Sequence, residues 1–123
     1  MGLDMYAFST KAKLSKEVDF TETNLKQEEI HYWRKHPNLH GWMQELYESK
    51  GGTSDSFNGD CVVLTENDLN ELEDDIKDKS LPNTSGFFFG QSDGDEVLDD
   101  LEFVAKAREA ISEGKTVYYT SWW

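Results

Sequence analysis

The fold is decided by the stretch Thr116-Val117-Tyr118-Tyr119-Thr120-Ser121-Trp122-Trp123. Its residues are β-branched, aromatic or hydroxylic, which is the composition of a β-strand. A free terminus is usually disordered unless something docks it, and two adjacent tryptophans left in water would expose a large apolar area. We therefore expect this strand to be docked, with Trp122 and Trp123 in the core or in a site.

Strand alternation divides this stretch into two faces. Positions 117, 119, 121 and 123 belong to one face, and Tyr118, Thr120 and Trp122 belong to the other. One aromatic set is expected to face the helices, so the other set needs cover of its own. A ligand, a partner subunit, a glycine-rich loop or an ordinary intramolecular core would each supply that cover.

Length and composition indicate one α+β domain. The chain has 123 residues, of which 37% are hydrophobic and 13% aromatic, so the expected core consists of few, large side chains. No apolar run approaches the roughly 20 residues needed to cross a bilayer, and the first residues do not resemble a secretion signal. The only cysteine, Cys61, cannot form an intramolecular disulfide. We expect a cytoplasmic protein without a membrane partner.

The net charge is strongly negative. The chain carries 25 acidic and 12 basic residues, for a formal charge of −13. Direct binding to nucleic acid is therefore not expected, because phosphate contacts need a surplus of Lys and Arg on one face. The acids concentrate in segments 66–78 and 93–102, which are interpreted as helices with solvated outer faces. The alternatives are docking onto a basic partner and an acidic decoy that imitates a nucleic-acid backbone.

The spacing of apolar residues and the positions of proline, glycine and capping residues predict the helices and strands. Strands are expected at 3–8, 60–64, 86–90 and the terminal stretch, whereas 29–35 is ambiguous between strand and helix. Helices are expected from Pro37 to the Gly51-Gly52 stop, from a capping box at 65–68 to Leu81-Pro82, and from about 95 to 113. The inward positions expected in the last helix are Val97, Leu98, Leu101, Val104, Ala105 and Ile111. The prediction is a single α+β domain over 1–123, with a sheet of three to four strands and about three helices packed on it.

A set of motifs carries a resemblance to known proteins. The motifs are Met1-Gly2-Leu3-Asp4-Met5-Tyr6, Tyr32-Trp33-Arg34-Lys35, Leu39-His40-Gly41-Trp42-Met43, the 51–58 loop, Gly86-Phe87-Phe88-Phe89-Gly90 and Trp122-Trp123. Together they resemble a family of small uncharacterised proteins found in bacteria and their phages, over nearly the whole chain. The resemblance implies lineage and compartment rather than an activity. Some relatives carry the label phosphoglycerate kinase, which this small chain does not support, because it has no glycine-rich loop leading from a strand into a helix.

Metal and nucleophile patterns are weak. His36 and His40 have the spacing of zinc ligands on a helix, but His36 precedes Pro37, and further ligands would have to come from Asp55, Asp60 or Cys61. The aspartates at 93, 95 and 99 do not have the spacing of a calcium loop. Ser54, Ser56 or Cys61 would need His40 as a base. We expect neither a metal nor another cofactor.

The remaining candidate site is polar and aromatic. Its expected members are Tyr32, Arg34, His40, Trp42, Asp55, Asn58, Tyr119 and Trp122. The favoured interpretation is a binding or interaction module for a protein partner or a small molecule, with a homodimer as one form of it. The alternative is a small enzyme whose site lies between the 51–60 loop, His40 and the terminal strand, with Arg34 nearby. A helix that buries Leu39 and Trp42 is expected to turn position 40 away from its core stripe and toward that loop. A pocket in which Arg34, His40 and Asp55 converge would favour the enzyme, and a flat aromatic patch would favour the interface.

Overall fold

A computed structural model describes residues 2–12, 14, 16–20, 26–84, 92 and 96–123. Within these residues the elements are β1 (Asp4–Thr10), β2 (Gln27–Arg34), α1 (Pro37–Ser49), β3 (Cys61–Leu64), α2 (Glu66–Lys77), α3 (Val97–Ser112) and β4 (Thr116–Trp122). The strands form one antiparallel sheet in the order β2-β1-β4-β3. This confirms the predicted α+β class. The aromatic strand expected at 86–90 lies outside the described residues.

The helix ends follow from local chemistry. Pro37 occupies the first turn of α1, where its missing N–H costs no hydrogen bond. The Thr65 hydroxyl accepts from the Asp68 backbone N–H at 3.2 Å, and the Asp68 carboxylate accepts from the Thr65 N–H at 2.9 Å, which is the predicted capping box. Gly114 follows α3 with a φ of 82°, a conformation that glycine adopts without strain.

The main core lies between the helices and one face of the sheet, here called the inner face. The inner face contributes Met5, Ala7, Trp33, Val62, Leu64, Val117 and Tyr119. The helices contribute Leu39, Met43 and Tyr47 from α1, Leu69, Leu72 and Ile76 from α2, and Phe103, Val104, Ala107 and Ala110 from α3. Large aromatic and aliphatic side chains dominate this core, as the composition predicted.

The opposite, outer face of the sheet carries a smaller cluster. Tyr118, Cys61 and Val63 are buried there, with Phe8, Leu14 and Phe20 packed against them. Since Tyr118 belongs to this cluster and Tyr119 to the main core, the predicted alternation of β4 is confirmed. Part of the outer face is therefore covered by the segment that follows β1.

The stretch 29–35, which was ambiguous between strand and helix, belongs to β2, and its pairing with β1 has an irregular register. Ala7 pairs with His31, but Phe8 pairs with Glu29, so Ile30 is the extra residue of β2 between them. Ile30 packs partly against the main core. The insertion explains why the apolar positions of this stretch did not alternate cleanly.

Two predicted inward positions of α3 are wrong. Leu98 is 81% exposed and Ala105 is also exposed, whereas Asp100, Phe103 and Ala107 are buried. At about 100° per residue, position 98 lies on the side of the helix opposite position 100. The stripe that contacts the core is therefore set by the positions of Asp100 and Phe103.

The terminal tryptophans differ in their docking. Trp123 packs partly against the main core, and its backbone N–H donates to the Asn58 side-chain oxygen at 3.0 Å. Trp122 points to the outer face and is 68% exposed. The expectation that both rings are docked is therefore wrong for Trp122, because alternation leaves only one of two adjacent residues on the core side.

Candidate functional site

Strand pairing aligns side chains of the outer face in rows across the sheet. One row holds Arg34, Asp4 and Trp122, since Asp4 pairs with both of the other residues. The next row holds Tyr32, Tyr6 and Thr120. The row after it holds Glu29, Phe8 and Tyr118. Residues aligned in this way are close enough for their side chains to interact.

The aromatic rings of these rows form a continuous series. Tyr6 lies 5.3 Å from Tyr32 and 6.0 Å from Phe8, measured between ring centroids. Phe8 lies 5.5 Å from Tyr118, which in turn forms an edge-to-face contact with Phe20 at 5.2 Å. Contacts of this length stabilise aromatic pairs by about 0.5–1.5 kcal/mol beyond their burial. The series is therefore an ordered surface rather than a set of independent side chains.

Exposure is highest at Tyr32, which ends this series, and at Trp122, which lies in the row of Asp4. Tyr32 is 44% exposed and Trp122 is 68% exposed, while Tyr6 is half-buried between strands. Tyr118 is buried, with Phe20 and Leu14 packed against its cluster. The open part, formed by Tyr32, Tyr6 and Trp122 together with Asp4 and Arg34, is named the aromatic patch below.

Asp4 organises the polar side of the aromatic patch. Its Oδ1 accepts a hydrogen bond from the Tyr32 hydroxyl at 2.6 Å and another from Arg34 Nη1 at 2.7 Å. The Tyr32 hydrogen bond and the Arg34 charge together hold the pKa of Asp4 below its ordinary value, against the opposing effect of burial. The hydrogen bond to Asp4 raises the pKa of Tyr32. The patch therefore presents ionised Asp4 and neutral phenols at physiological pH.

His40 and Tyr119 lie in the main core instead. His40 Nδ1 and the Tyr119 hydroxyl are 2.7 Å apart, and both residues are fully buried. The His40 ring lies 5.1 Å from Phe57, which lies 4.9 Å from Tyr47. Burial lowers the pKa of His40 to about 4 and raises that of Tyr119 well above its ordinary value. Both groups are therefore neutral near pH 7.

The hypothesis about the surroundings of His40 needs correction. His40 does contact the 51–60 loop, through Phe57, but α1 does not turn it away from the core. The helix is buried over a wide arc that includes Leu39, His40 and Met43. Arg34 is bonded to Asp4 on the opposite face of the sheet, so it does not lie beside His40.

The other predicted site residues have separate positions. Trp42 is buried, and its Nε1–H donates to Asp75 at 2.8 Å. Asn58 forms hydrogen bonds to the backbone of Trp123, with its Nδ2 donating to the Trp123 oxygen at 2.6 Å. Asp55 is exposed. Only Tyr32, Arg34 and Trp122 of the predicted set share one surface, so the structure does not bring Arg34, His40 and Asp55 together.

The outer face also holds Asp4, Tyr6 and Phe8, which were not among the site residues predicted from the sequence. Their alternation along β1 was a usable signal, because residues 4, 6 and 8 fall on one face of a strand. The sequence did not predict which strands pair with β1. The pairing of β1 with both β2 and β4 is what aligns these residues with Tyr32 and Trp122.

The three histidines do not form a common metal site. His31 Nε2 lies 3.1 Å from Asp99, His36 Nε2 lies 2.8 Å from Asp100, and His40 bonds to Tyr119. Over the described ranges, no group of three or more His, Cys, Asp and Glu side chains is placed to hold a metal ion. Asp93 and Asp95 of the weak calcium pattern lie outside those ranges.

Comparison with known proteins gives no relative, because no family model, no curated protein and no solved structure matches the chain. The resemblance to the family of small bacterial and phage proteins therefore stays a prediction. None of the helices in the described part of the chain is both long enough and apolar enough to cross a membrane.

Proposed function

We propose that this protein is a binding module whose aromatic patch holds a basic segment of a protein partner. The observation that carries the proposal is the exposure of Trp122 and Tyr32 on the sheet face that also carries Tyr6. Exposed aromatic residues with a hydrogen-bonding end are enriched where proteins bind one another. A patch of this kind favours an interface over the enzymatic alternative, which needed a convergence of Arg34, His40 and Asp55.

Charge favours a basic occupant. The chain has a formal charge of −13, and Asp4 and Glu29 lie in the rows of the outer face. The charge of Arg34 is offset locally by Asp4 at 2.7 Å. An arginine or lysine of the partner would meet the tyrosine and tryptophan rings, where a cation–π contact contributes about 0.5–2 kcal/mol. The field of the whole molecule would also accelerate the approach of such a partner.

The same charge disfavours a second copy of the chain as the occupant. Two copies at −13 each repel, and an interface between them would bring like charges together. A homodimer through the aromatic patch is therefore the competing outcome of the test. We also propose the cytoplasm as the compartment, supported by Cys61 being the only cysteine and buried, as suits a reducing environment.

The test is a titration with two short peptides that differ only in charge. One alternates arginine with leucine and the other alternates glutamate with leucine, and binding is followed by tryptophan fluorescence and calorimetry. We expect the basic peptide alone to bind, with an affinity that falls as salt is added. Trp122→Ser and Tyr32→Ser should each weaken binding by about tenfold or more, because aromatic residues dominate interface energies.

Leu98→Ser is the matched control, because Leu98 is 81% exposed on α3 and lies outside the aromatic patch. It should bind the basic peptide as the unmodified protein does. Equal affinities of Trp122→Ser and Leu98→Ser for the basic peptide would contradict the proposal. The peptide would then bind to the acidic helices. A dimer in sedimentation that Trp122→Ser dissociates would also contradict it, because the occupant would then be a second copy.

A further inference from the structure

A hydrogen-bonded cluster of Ser92, His36 and Asp100 lies between the residue that precedes α1 and the first turn of α3. The Ser92 Oγ is 2.7 Å from His36 Nδ1, and His36 Nε2 is 2.8 Å from Asp100 Oδ2. His36 is 4% exposed and Asp100 is 1% exposed. A hydroxyl, an imidazole and a buried carboxylate connected in this order are the groups that activate a serine nucleophile.

The other hydrogen bonds of the cluster decide where its protons lie. Asp100 Oδ1 accepts from Trp33 Nε1–H at 3.0 Å, and Oδ2 faces His36 Nε2. A buried carboxylate is stabilised by donors on both oxygens, and we assign the imidazole proton to Nε2 on that ground. The Nδ1 lone pair then faces Ser92. With the proton on Nε2, Nδ1 is an acceptor, so the Ser92 hydroxyl donates to it while Oγ accepts from the Asn38 N–H at 3.1 Å.

A cleft adjoins the cluster and gives it access to a small molecule. The cleft has a volume of about 130 Å³ and is lined by His36, Ser92 and Asp100 together with Ile76, Leu81 and Lys79. Ile76 and Leu81 provide an apolar wall, and Lys79 provides a positive charge. Hydrogen bonds that only connect helices need no adjoining space. The volume corresponds to roughly four water molecules, which suits a short acyl group.

We propose that Ser92 is the nucleophile of a serine esterase site that accepts small carboxylic esters. The inference is independent of the aromatic patch, because the two sites share no residue.

In the first step, the Ser92 hydroxyl proton passes to His36 Nδ1 while Oγ bonds to the ester carbonyl carbon. The tetrahedral adduct breaks its bond to the alkoxy oxygen, and the proton on Nδ1 transfers to that oxygen, releasing an alcohol. Water then attacks the acyl-serine with His36 again taking the proton, so that a carboxylic acid leaves and Ser92 is restored.

Surrounding groups stabilise the charges of these steps. The Asn38 N–H lies at the N-terminal end of α1, where the helix dipole favours developing negative charge. Asp100 stabilises the imidazolium form of His36 through Nε2. Glu96 Oε1 lies 3.6 Å from Nδ1 and adds a second carboxylate near that cation. The order of the two ring nitrogens is reversed relative to serine proteases, but the path of the proton is the same.

The first experiment combines labelling with hydrolysis. The folded protein is treated with a fluorophosphonate probe, the labelled residue is located by mass spectrometry, and p-nitrophenyl acetate, butyrate and octanoate are compared as substrates. We expect label on Ser92 and faster hydrolysis of acetate and butyrate than of octanoate. Ser92→Ala should abolish labelling, and His36→Gln should lower the hydrolysis rate by about 100-fold or more. Ser56→Ala, which alters an exposed serine outside the cluster, should leave both unchanged.

A second variant keeps the test decisive if His36→Gln unfolds the protein. Ser92→Cys retains a donor and an acceptor, and its thiol should be alkylated by iodoacetamide at least about tenfold faster than the buried Cys61. Circular dichroism checks that each variant is folded. The proposal is overturned if the folded protein is labelled at another residue or at none, if Ser92→Ala hydrolyses the esters as fast as the unmodified protein, or if the Ser92→Cys thiol reacts no faster than Cys61.

Discussion

His40 is a buried histidine whose charge state is determined by burial alone. Its pKa of about 4 compares with an ordinary value of 6.5, and the Tyr119 hydroxyl at 2.7 Å is a neutral partner. His36 has a different setting, since it lies 2.8 Å from the Asp100 carboxylate. The two histidines, four positions apart, therefore have different partners: a carboxylate for His36 and a neutral hydroxyl for His40.

The depressed pKa of His40 predicts a specific pH dependence of stability. In the folded protein His40 stays neutral down to about pH 4, whereas in the unfolded chain it takes up a proton near pH 6.5. Stability from this group is therefore present above pH 6.5 and is lost as the pH falls toward 4, at about 1.4 kcal/mol per pH unit. His40→Gln should remove this part of the slope when the free energy of unfolding is measured by urea titration at several pH values.

Tyr119→Phe is the control for that prediction. It removes the hydroxyl partner of His40 but leaves the ring buried, and burial is the cause of the shift. Its slope between pH 6.5 and 4 should resemble that of the unmodified protein. Identical slopes in His40→Gln and the unmodified protein would show that another group titrates in this window.

At the scale of the elements, the sequence predicted those whose signals are local. Pro37 fixed the start of α1, and the Thr65–Asp68 capping box fixed the start of α2, because each signal acts within a few residues. The identity of β2 was not predictable, since the extra residue Ile30 arises only from its pairing with β1. Of the aromatic patch, Trp122 was predictable from β4 alone, because alternation places it on the face of Tyr118 whatever the neighbouring strand is.

The parts of the candidate sites that escaped prediction depend on distant partners. Ser92 is 56 positions from His36, and Asp100 is 64 positions from it. Asp100 also belongs to an acidic segment that was interpreted as solvated, whereas packing buries it against Trp33. His40 was assigned to the wrong side of α1 because a helix covered over a wide arc has no polar face at that position. A local sequence pattern predicts the type of an element, but it does not predict which other element packs against it.

The terminal strand gives a prediction at this scale. Asn58 accepts from the Trp123 N–H at 3.0 Å and donates to the Trp123 oxygen at 2.6 Å, so one side chain fixes the end of β4. Asn58→Ala should lower the free energy of unfolding by about 1–3 kcal/mol, because two backbone hydrogen bonds are lost. Asp55→Ala, in the same loop but exposed, should change it by less than about 0.5 kcal/mol. Equal effects in a denaturant titration would show that Asn58 does not hold the strand.

At the scale of the whole molecule, the charge excess outweighs the ion pairs. Lys50 bonds to both Glu17 and Asp68 at 2.6 Å, but pairs such as Lys77–Glu73 at 3.8 Å and Lys106–Glu102 at 3.4 Å lie at the surface. Surface pairs contribute at most about 1 kcal/mol each. The 25 acidic residues outnumber the 12 basic residues by 13, and the mutual repulsion of the acids opposes the compact state.

Moderate salt should therefore stabilise this protein. Raising sodium chloride to about 0.3 M shortens the screening length to well below 10 Å and weakens repulsion among the acids of α2 and α3 more than it weakens the few close pairs. We expect the melting temperature to rise by about 3–5 °C, corresponding to about 1 kcal/mol, with potassium chloride giving the same curve. The double variant Glu71→Gln, Asp74→Asn, which removes two exposed charges from α2, should melt higher at low salt and respond less to added salt. A melting temperature that falls steadily as salt is added would reverse this conclusion, because it would mean that favourable ion pairing outweighs the repulsion.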